Sequence, residues 1–119
     1  MPEPLTPTRI PAAVAGLGLM GSSIAACLLA AGHPVVGLET EPRQRSAARR
    51  RIAGLLEIMR DENLLQHPLD ETVARFTTTG DVADLAPSRL VIESISENGE
   101  KKRKLIESIE DSVGRHVPI

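Results

Sequence analysis

Aromatic residues are almost absent from this chain: Phe76 is its single aromatic side chain, and it has neither Trp nor Tyr. This lack argues against sites that bind nucleic-acid bases or sugars by stacking them on aromatic rings. A core must therefore be built from aliphatic side chains, and 41% of the 119 residues are hydrophobic, which is enough to form one. The length corresponds to one domain of about 100–150 residues.

Charge of one sign, cysteine and long apolar runs are also scarce. A net charge of -2 gives no general electrostatic attraction to nucleic acid or to an anionic membrane, so neither partner is expected. No apolar run approaches the roughly 20 residues that span a bilayer. Cys27 has no second cysteine for an internal disulfide, and His33, His67 and His116 lie far apart in the sequence. We therefore predict a globular domain without a metal site.

The first eleven residues hold four of the nine prolines and lack the charged and apolar regions of a signal peptide. We interpret residues 1–11 as a flexible arm and residues 12–119 as one domain. The absence of an export signal and the unpaired cysteine predict a cytoplasmic protein.

The rest of the chain alternates short apolar runs with amphipathic segments. In the first helix, Ile24, Leu28 and Ala31 are predicted to form the buried face, and Cys27 is expected to be a small core residue. The order of elements predicts an α/β domain with a mostly parallel sheet and helices on both faces. A run at 117–119 starts a further strand, so we expect a sheet that is incomplete at the C-terminus. The predicted strands are 12–15, 35–38, 74–78 and 90–95, and the predicted helices are 20–31, 42–63, 69–73, 81–85 (capped by Asp81) and 100–113.

Three glycines with fixed spacing follow the first predicted strand and form the pattern G-x-G-x-x-G. A strand before this pattern and a helix after it are the context that a dinucleotide-binding turn requires. Gly16 permits a tight turn, Gly18 leaves room for a pyrophosphate, and Gly21 lets the helix pack closely. Free N–H groups at the helix start attract phosphates. We predict cofactor-binding residues at Gly16, Leu17, Gly18, Leu19, Met20 and Gly21.

Glu39 ends the second predicted strand, 23 residues after Gly16. Dinucleotide-binding turns have an acidic residue about 20 residues after the turn, where it accepts hydrogen bonds from the adenosine ribose. Because a carboxylate repels a 2′-phosphate, Glu39 favours NAD over NADP. Arg43 and Arg45 follow closely and would meet a 2′-phosphate if their loop turned inward, so NADP stays open as the alternative.

Two stretches resemble the short-chain 3-hydroxyacyl-CoA dehydrogenases: residues 14–25 (VAGLGLMGSSIA) with 31–36 (AGHPVV), and residues 78–81 (TTGD) with 90–98 (LVIESISEN). The resemblance implies a Rossmann-type, doubly wound domain that binds NAD. Hydroxyisobutyrate-type dehydrogenases share the glycine block, but the long helix after the second strand and the pair Glu97 and Asn98 favour the hydroxyacyl-CoA family.

The same resemblance implies roles for residues near the fourth strand. Glu97 matches an acidic residue beside the nicotinamide, Lys102 matches a lysine that contacts the cofactor, and Ser94 and Ile95 would lie along it. Lys102 also belongs to a basic run at 101–104, which is typical of a solvated helix face, so both interpretations stay open.

No catalytic residue is assigned to this chain. Enzymes of the family oxidise (S)-3-hydroxyacyl-CoA to 3-oxoacyl-CoA with a histidine base that would lie beyond residue 119, and the histidines present are expected at the surface. The family's coenzyme A contacts on the long helix fall here on Leu55 and Glu62, so an acyl-CoA partner is expected only for a longer form. The chain alone is expected to bind NAD without turnover, with Ser22 and Ser23 either bonding phosphate or capping the first helix.

Two other classes remain alternatives to an enzyme fragment. The chain would also suit a stand-alone NAD-binding regulatory module, or a self-associating domain whose unpaired sheet edge joins a second copy. Homodimerisation is expected under either interpretation.

Overall fold

The computed structural model describes residues 9–95, 99–114 and 117–119. Four parallel strands form one sheet in the order β3-β2-β1-β4, with helices on both faces. The predicted α/β architecture is therefore confirmed. The elements are β1 (Ala12–Ala15), α1 (Leu19–Ala30), β2 (Val35–Leu38), α2 (Pro42–Asp61), α3 (Leu69–Ala74), β3 (Phe76–Thr79), a 3₁₀ turn (Val82–Leu85), β4 (Leu90–Glu93) and α4 (Gly99–Val113).

Strand β1 lies at the centre of the sheet, with β2 on one side and β4 on the other. Ala12 is in register with Val35 and with Leu90, and all four β1 residues are buried. Because helices cover both of its faces, the strand is apolar throughout instead of alternating. The alanine side chains of β1 occupy little volume, so the helices on both faces can pack close to the sheet.

Two aliphatic cores fill the space on the two faces of the sheet. Helices α1 and α2 enclose one of them, and α4 with the 3₁₀ turn covers the other. The first contains Phe76, which is 7% exposed, so the one aromatic residue is used as core. Large side chains of the first core include Val14, Leu17, Leu29, Ile52 and Leu56, and those of the second include Leu38, Leu85, Val91, Ile109 and Val113.

The buried face of α1 differs from the predicted one. Ser22, Ala25, Ala26 and Leu29 turn inwards, whereas Cys27 is exposed, so the prediction that Cys27 is a core residue was wrong. Small side chains pack closest to the sheet because they let the helix axis approach β1. Ile24 and Leu28 are only half-buried beside that face, and Ala31 is exposed.

Both ends of the described chain are attached to the sheet. Residues 9–11 were assigned to the arm, yet the Ile10 N–H donates to His33 Nδ1 at 3.2 Å and the Arg89 N–H donates to the Pro11 carbonyl at 2.8 Å. At the other end, the Val91 N–H donates to the Pro118 carbonyl at 2.9 Å, which puts residues 117–119 beside β4. In the ranges the structure covers, no helix combines the length and apolar character needed to cross a membrane.

Candidate functional site

A cleft of about 650 Å³ opens at the carboxyl ends of β1, β2 and β4. The chain leaves β1 towards β2 and β3, then returns to β4 on the opposite side of β1, so the direction of winding reverses there. Open parallel sheets bind ligands at such a reversal. The cleft is lined by Gly16, Leu17, Gly18, Leu19, Met20, Leu38, Glu39, Thr40, Glu93, Ser94, Ile95, Lys102 and Leu105.

The glycine turn packs closely against the backbone of Ser94, which directly follows β4. Gly16 has φ 95°, and a Cβ atom added to it would lie 2.5 Å from the carbonyl oxygen of Ser94. A Cβ atom on Gly21 would overlap the carbonyl oxygen of Gly16. Both positions therefore require glycine, and the close packing predicted for Gly21 is directed at the turn itself.

Gly18 has a different function in the same turn. A Cβ atom added there would have no heavy atom within 4 Å, so the missing side chain leaves open space at the cleft. Gly18 is also the N-cap of α1 and supplies no side-chain cap to the N–H groups of the first turn. Those N–H groups and the positive end of the helix dipole fit a pyrophosphate. Leu19 and Met20 carry side chains that are 75% and 71% exposed at the rim.

Arg51 of α2 supports the glycine turn from below, a role that the sequence did not reveal. Its Nη1 donates to the Leu17 carbonyl at 3.1 Å and to Ser22 Oγ at 3.2 Å, while Ser22 Oγ donates to the same carbonyl at 3.1 Å. Ser22 is fully buried, so its hydroxyl stabilises the turn and does not face the cleft. Ser23 Oγ donates to the Leu19 carbonyl at 2.9 Å, within its own helix.

Glu39 lies half-buried at the β2 end of the cleft, where a ribose-binding acid was predicted. Its Oε2 accepts from the Glu41 N–H at 3.3 Å. Arg45 is not among the residues that line the cleft, and its Nη1 donates to the carbonyls of Glu39 and Thr40, at 2.6 and 3.2 Å. Arg43 is exposed and lines a separate groove with Pro42, Ser46 and Arg50.

At the β4 end, an ion pair joins the strand to α4. Lys102 Nζ lies 3.1 Å from Glu93 Oε2, and the two side chains are 35% and 14% exposed. Glu93 Oε1 also accepts from the Ile95 N–H at 2.6 Å. The structure thus brings Lys102, Ser94 and Ile95 to the cleft wall, and adds Glu93, which the sequence reasoning did not single out. Glu97 lies outside the described residues.

The described histidines lie away from the cleft. His33 is bonded to the Ile10 backbone, and His67 Nε2 lies 3.0 Å from Arg9 Nη2. Within the ranges that the structure covers, no group of three or more His, Cys, Asp or Glu side chains is placed to hold a metal ion.

The parallel sheet, the interlocked glycine turn and the acid at the end of β2 define a dinucleotide-binding domain of the doubly wound α/β class. The sequence matches the family described as "3-hydroxyacyl-CoA dehydrogenase, NAD binding domain" over residues 11–118. The chain belongs to this family, and its cofactor is NAD. The resemblance stated from the sequence is confirmed, and the hydroxyisobutyrate-type alternative is set aside.

Individual relatives agree with the family match. The chain is 30% identical over 103 residues to the fatty acid oxidation complex subunit alpha of Psychrobacter cryohalolentis, with 86% of this chain and 14% of that protein covered. It is 29% identical over 92 residues to the peroxisomal bifunctional enzyme of Cavia porcellus, with 77% and 13% covered. The chain therefore spans about one seventh of these relatives' length.

Solved structures show the same likeness. The crystal structure of M. tuberculosis FadB2 superposes with a TM-score of 0.79 at 30% identity, covering 89% of this chain and 38% of that one. The 3-hydroxybutyryl-CoA dehydrogenase of Escherichia coli gives a TM-score of 0.82 at 26% identity, covering 92% and 24%.

Proposed function

We propose that this chain is the cofactor-binding part of an enzyme that oxidises (S)-3-hydroxyacyl-CoA to 3-oxoacyl-CoA, with NAD as the hydride acceptor. The observation that carries the proposal is the cleft in which Gly18 leaves open space beside a free helix N-terminus and Glu39 lines the adjacent wall. The names of the relatives support the substrate class, because they include a fatty acid oxidation subunit and a 3-hydroxybutyryl-CoA dehydrogenase.

Each part of the cleft has a distinct task in this proposal. The N–H groups of the glycine turn at 16–21 bind the pyrophosphate, and Glu39 accepts hydrogen bonds from the adenosine ribose. Because the adenosine end lies at β2, the nicotinamide end extends past β1 towards Ser94, Ile95 and Lys102. NAD, when bound, supplies a hydride acceptor at that end. We assign Glu97 to the same end on the family resemblance alone.

The chain by itself binds NAD but does not turn over acyl-CoA in this proposal. On the family resemblance, we place the histidine base beyond residue 119. In the ranges that the structure describes, no histidine lines the cleft, which supports this placement. Acyl-CoA is accordingly proposed as a substrate of the complete enzyme only.

Calorimetric titration of NAD and NADP into the full chain tests the proposal. We expect NAD to bind more tightly than NADP, and Glu39→Ala to weaken NAD by about 10–100-fold, since a charged hydrogen-bond acceptor is removed. Glu57→Ala, an exposed acid on α2, serves as the control and should change neither affinity. Equal binding of both cofactors, unchanged by Glu39→Ala, would contradict the assigned site.

Self-association and cellular location stay predictions from the sequence. The exposed apolar side chains Ile58 and Leu64, at 63% and 58%, support contact with a second copy near the end of α2. Sedimentation with and without NAD distinguishes a monomer from a homodimer, and cell fractionation tests the cytoplasmic location. A monomer under both conditions would contradict the prediction of a homodimer.

A further inference from the structure

We propose that Arg45 sets the preference of this site for an adenosine ribose without a 2′-phosphate, by holding the backbone of the loop that carries Glu39. The inference rests on the proposed binding of NAD in the cleft. Arg45 is thereby a positioning residue, which acts through Glu39 and does not contact the cofactor.

One nitrogen of the guanidinium holds two successive carbonyls. Arg45 Nη1 donates to the Glu39 carbonyl at 2.6 Å and to the Thr40 carbonyl at 3.2 Å. On its other side, the Glu39 N–H donates to the Thr79 carbonyl at 2.9 Å. The Glu39 backbone is therefore fixed at both its N–H and its carbonyl. Its carboxylate can move away from the cleft wall only by rotation about the side-chain torsions.

Gly80, just after β3, leaves the space that the guanidinium needs. A Cβ atom added to Gly80 would lie 2.6 Å from Arg45 Nη1. Gly80 is not among the glycines with positive φ, so alanine can adopt its backbone conformation. The expected effect of Gly80→Ala is therefore the steric contact between the new Cβ atom and the guanidinium. The absence of a side chain at Gly80 therefore lets the Arg45 guanidinium reach the carbonyls of the loop between β2 and α2.

The other role open to an arginine in this loop is to bind a 2′-phosphate. Nη1 is already engaged with two carbonyls, so a phosphate would have to bind through Nε and Nη2, or Nη1 would have to release the carbonyls that hold Glu39. The two roles make opposite predictions: a phosphate-binding Arg45 favours NADP, whereas a loop-holding Arg45 favours NAD because it keeps the repelling carboxylate in place.

The experiment titrates NAD and NADP into the full chain and into four variants: Arg45→Met, Arg45→Lys, Gly80→Ala and Arg49→Met. We expect Arg45→Met to lower the ratio of NAD to NADP affinity about tenfold, as the loss of hydrogen bonds from a charged donor implies. Gly80→Ala should lower the ratio in the same direction without removing any charge, because its Cβ displaces the guanidinium. Arg45→Lys should restore part of the ratio, since lysine keeps the positive charge and can donate to a carbonyl, although its ammonium is more strongly hydrated than a guanidinium. Arg49→Met, an exposed arginine one turn along α2, should leave the ratio unchanged.

Two results would overturn the inference. Loss of NADP affinity in Arg45→Met with NAD affinity retained would make Arg45 a phosphate ligand. Equal weakening of both cofactors in Arg45→Met and Gly80→Ala would make the pair merely structural. Failure of the unaltered chain to bind either cofactor would instead contradict the proposed function. Circular dichroism confirms that each variant is folded, and Gly80→Ala carries the test if Arg45→Met does not fold.

Discussion

The two ends of the cleft are held in different ways. At the β2 end, Arg45 donates to backbone carbonyls, and the Glu39 carboxylate, whose Oε2 accepts from the Glu41 N–H, forms no ion pair among the described residues. At the β4 end, the acid and the base are paired with each other, since Lys102 Nζ lies 3.1 Å from Glu93 Oε2. One end therefore presents a carboxylate, whereas the other presents a neutralised pair.

This difference predicts different sensitivities at the two ends. Hydrogen bonds from a half-buried guanidinium to carbonyls are little affected by salt, whereas an ion pair with a 35% exposed lysine is partly screened. We therefore expect the β2 end to contribute more to discrimination between ligands than the β4 end, and the contribution of the β4 end to fall as the salt concentration rises. Variants of the glycine turn should weaken ligand binding at both ends of the cleft, whereas a variant at the β4 end should affect that end alone.

The largest effect is expected for Gly21→Ala, which breaks the turn that both ends share. The added Cβ atom would overlap the Gly16 carbonyl oxygen, so α1 must move away from the turn and the phosphate site is lost. We predict at least roughly a hundredfold loss of NAD affinity by calorimetry, which corresponds to about 3 kcal/mol of lost hydrogen bonds to a charged pyrophosphate.

Gly54→Ala is the matched control for this variant. Gly54 lies inside α2, and a Cβ atom there meets no heavy atom within 4 Å. Alanine should leave NAD binding unchanged and raise the free energy of unfolding by about 1 kcal/mol, from helix propensity. Retained NAD affinity in Gly21→Ala would show that the interlock is not needed for the site.

A smaller effect is expected for Arg51→Met, which removes the support under the glycine turn. Leu17 keeps only its bond from Ser22, so the turn loosens and a positive charge below the phosphate site disappears. We predict about tenfold weaker binding of NAD and of ADP, with adenosine binding unaffected. Titration of the three ligands gives the comparison.

Arg50→Met is the control for the turn support, because Arg50 is the exposed neighbour of Arg51. It should bind all three ligands as the unaltered chain does. Equal losses in the two variants would mean that general positive charge on α2, and not the bonds to the turn, supports binding.

The smallest effect is expected for Glu93→Gln, which removes the ion pair at the β4 end only. Lys102 loses its partner and the wall beside Ser94 and Ile95 is less well positioned. We predict about threefold weaker NAD binding, within the range of a partly exposed pair, and no change for ADP, which lacks the nicotinamide ribose. Raising the salt concentration should reduce the difference between variant and unaltered chain.

Glu100→Gln tests whether any ion pair on α4 would give the same result. Its pair with Lys104 is highly exposed, at 83% and 75%, and the atoms are 4.0 Å apart. No change is expected in this control. If Glu93→Gln weakened ADP as much as NAD, the proposed separation of the two ends would be wrong.

Most of the fold could be predicted because it follows local patterns. The apolar run before G-x-G-x-x-G and the periodic helix after it appear as β1 and α1, and the Asp81 cap is present, with Oδ1 accepting from the Ala83 N–H at 3.0 Å. The turn that follows is 3₁₀ instead of α-helical. The misassigned face of α1 shows the limit of periodicity, since hydrophobicity alone does not reveal that the smallest side chains pack closest to the sheet.

Less of the site could be predicted, because its supports join residues that are distant in sequence. Arg51 reaches Leu17 across 34 positions, and Arg45 depends on the space left by Gly80. Neither contact leaves a local pattern. Weak signals existed: Arg51 immediately precedes Ile52, which belongs to the predicted buried stripe of the helix, and Gly80 follows a predicted strand. Glu93 fell inside the strand predicted at 90–95, whereas β4 ends at Glu93 in the structure.

The contact between Gly16, Gly21 and Ser94 links cofactor affinity to the stability of the whole domain. The turn between β1 and α1 meets there the residue that follows β4, which is distant in sequence, with no room for a methyl group, so the site exists only when β1, α1 and β4 are assembled together. Binding that requires the assembled state stabilises it by mass action, by about 2.7 kcal/mol at a ligand concentration of 100 times Kd. Saturation with NAD should therefore raise the temperature of unfolding of the entire sheet, including β3, which contributes no residue to the cleft wall.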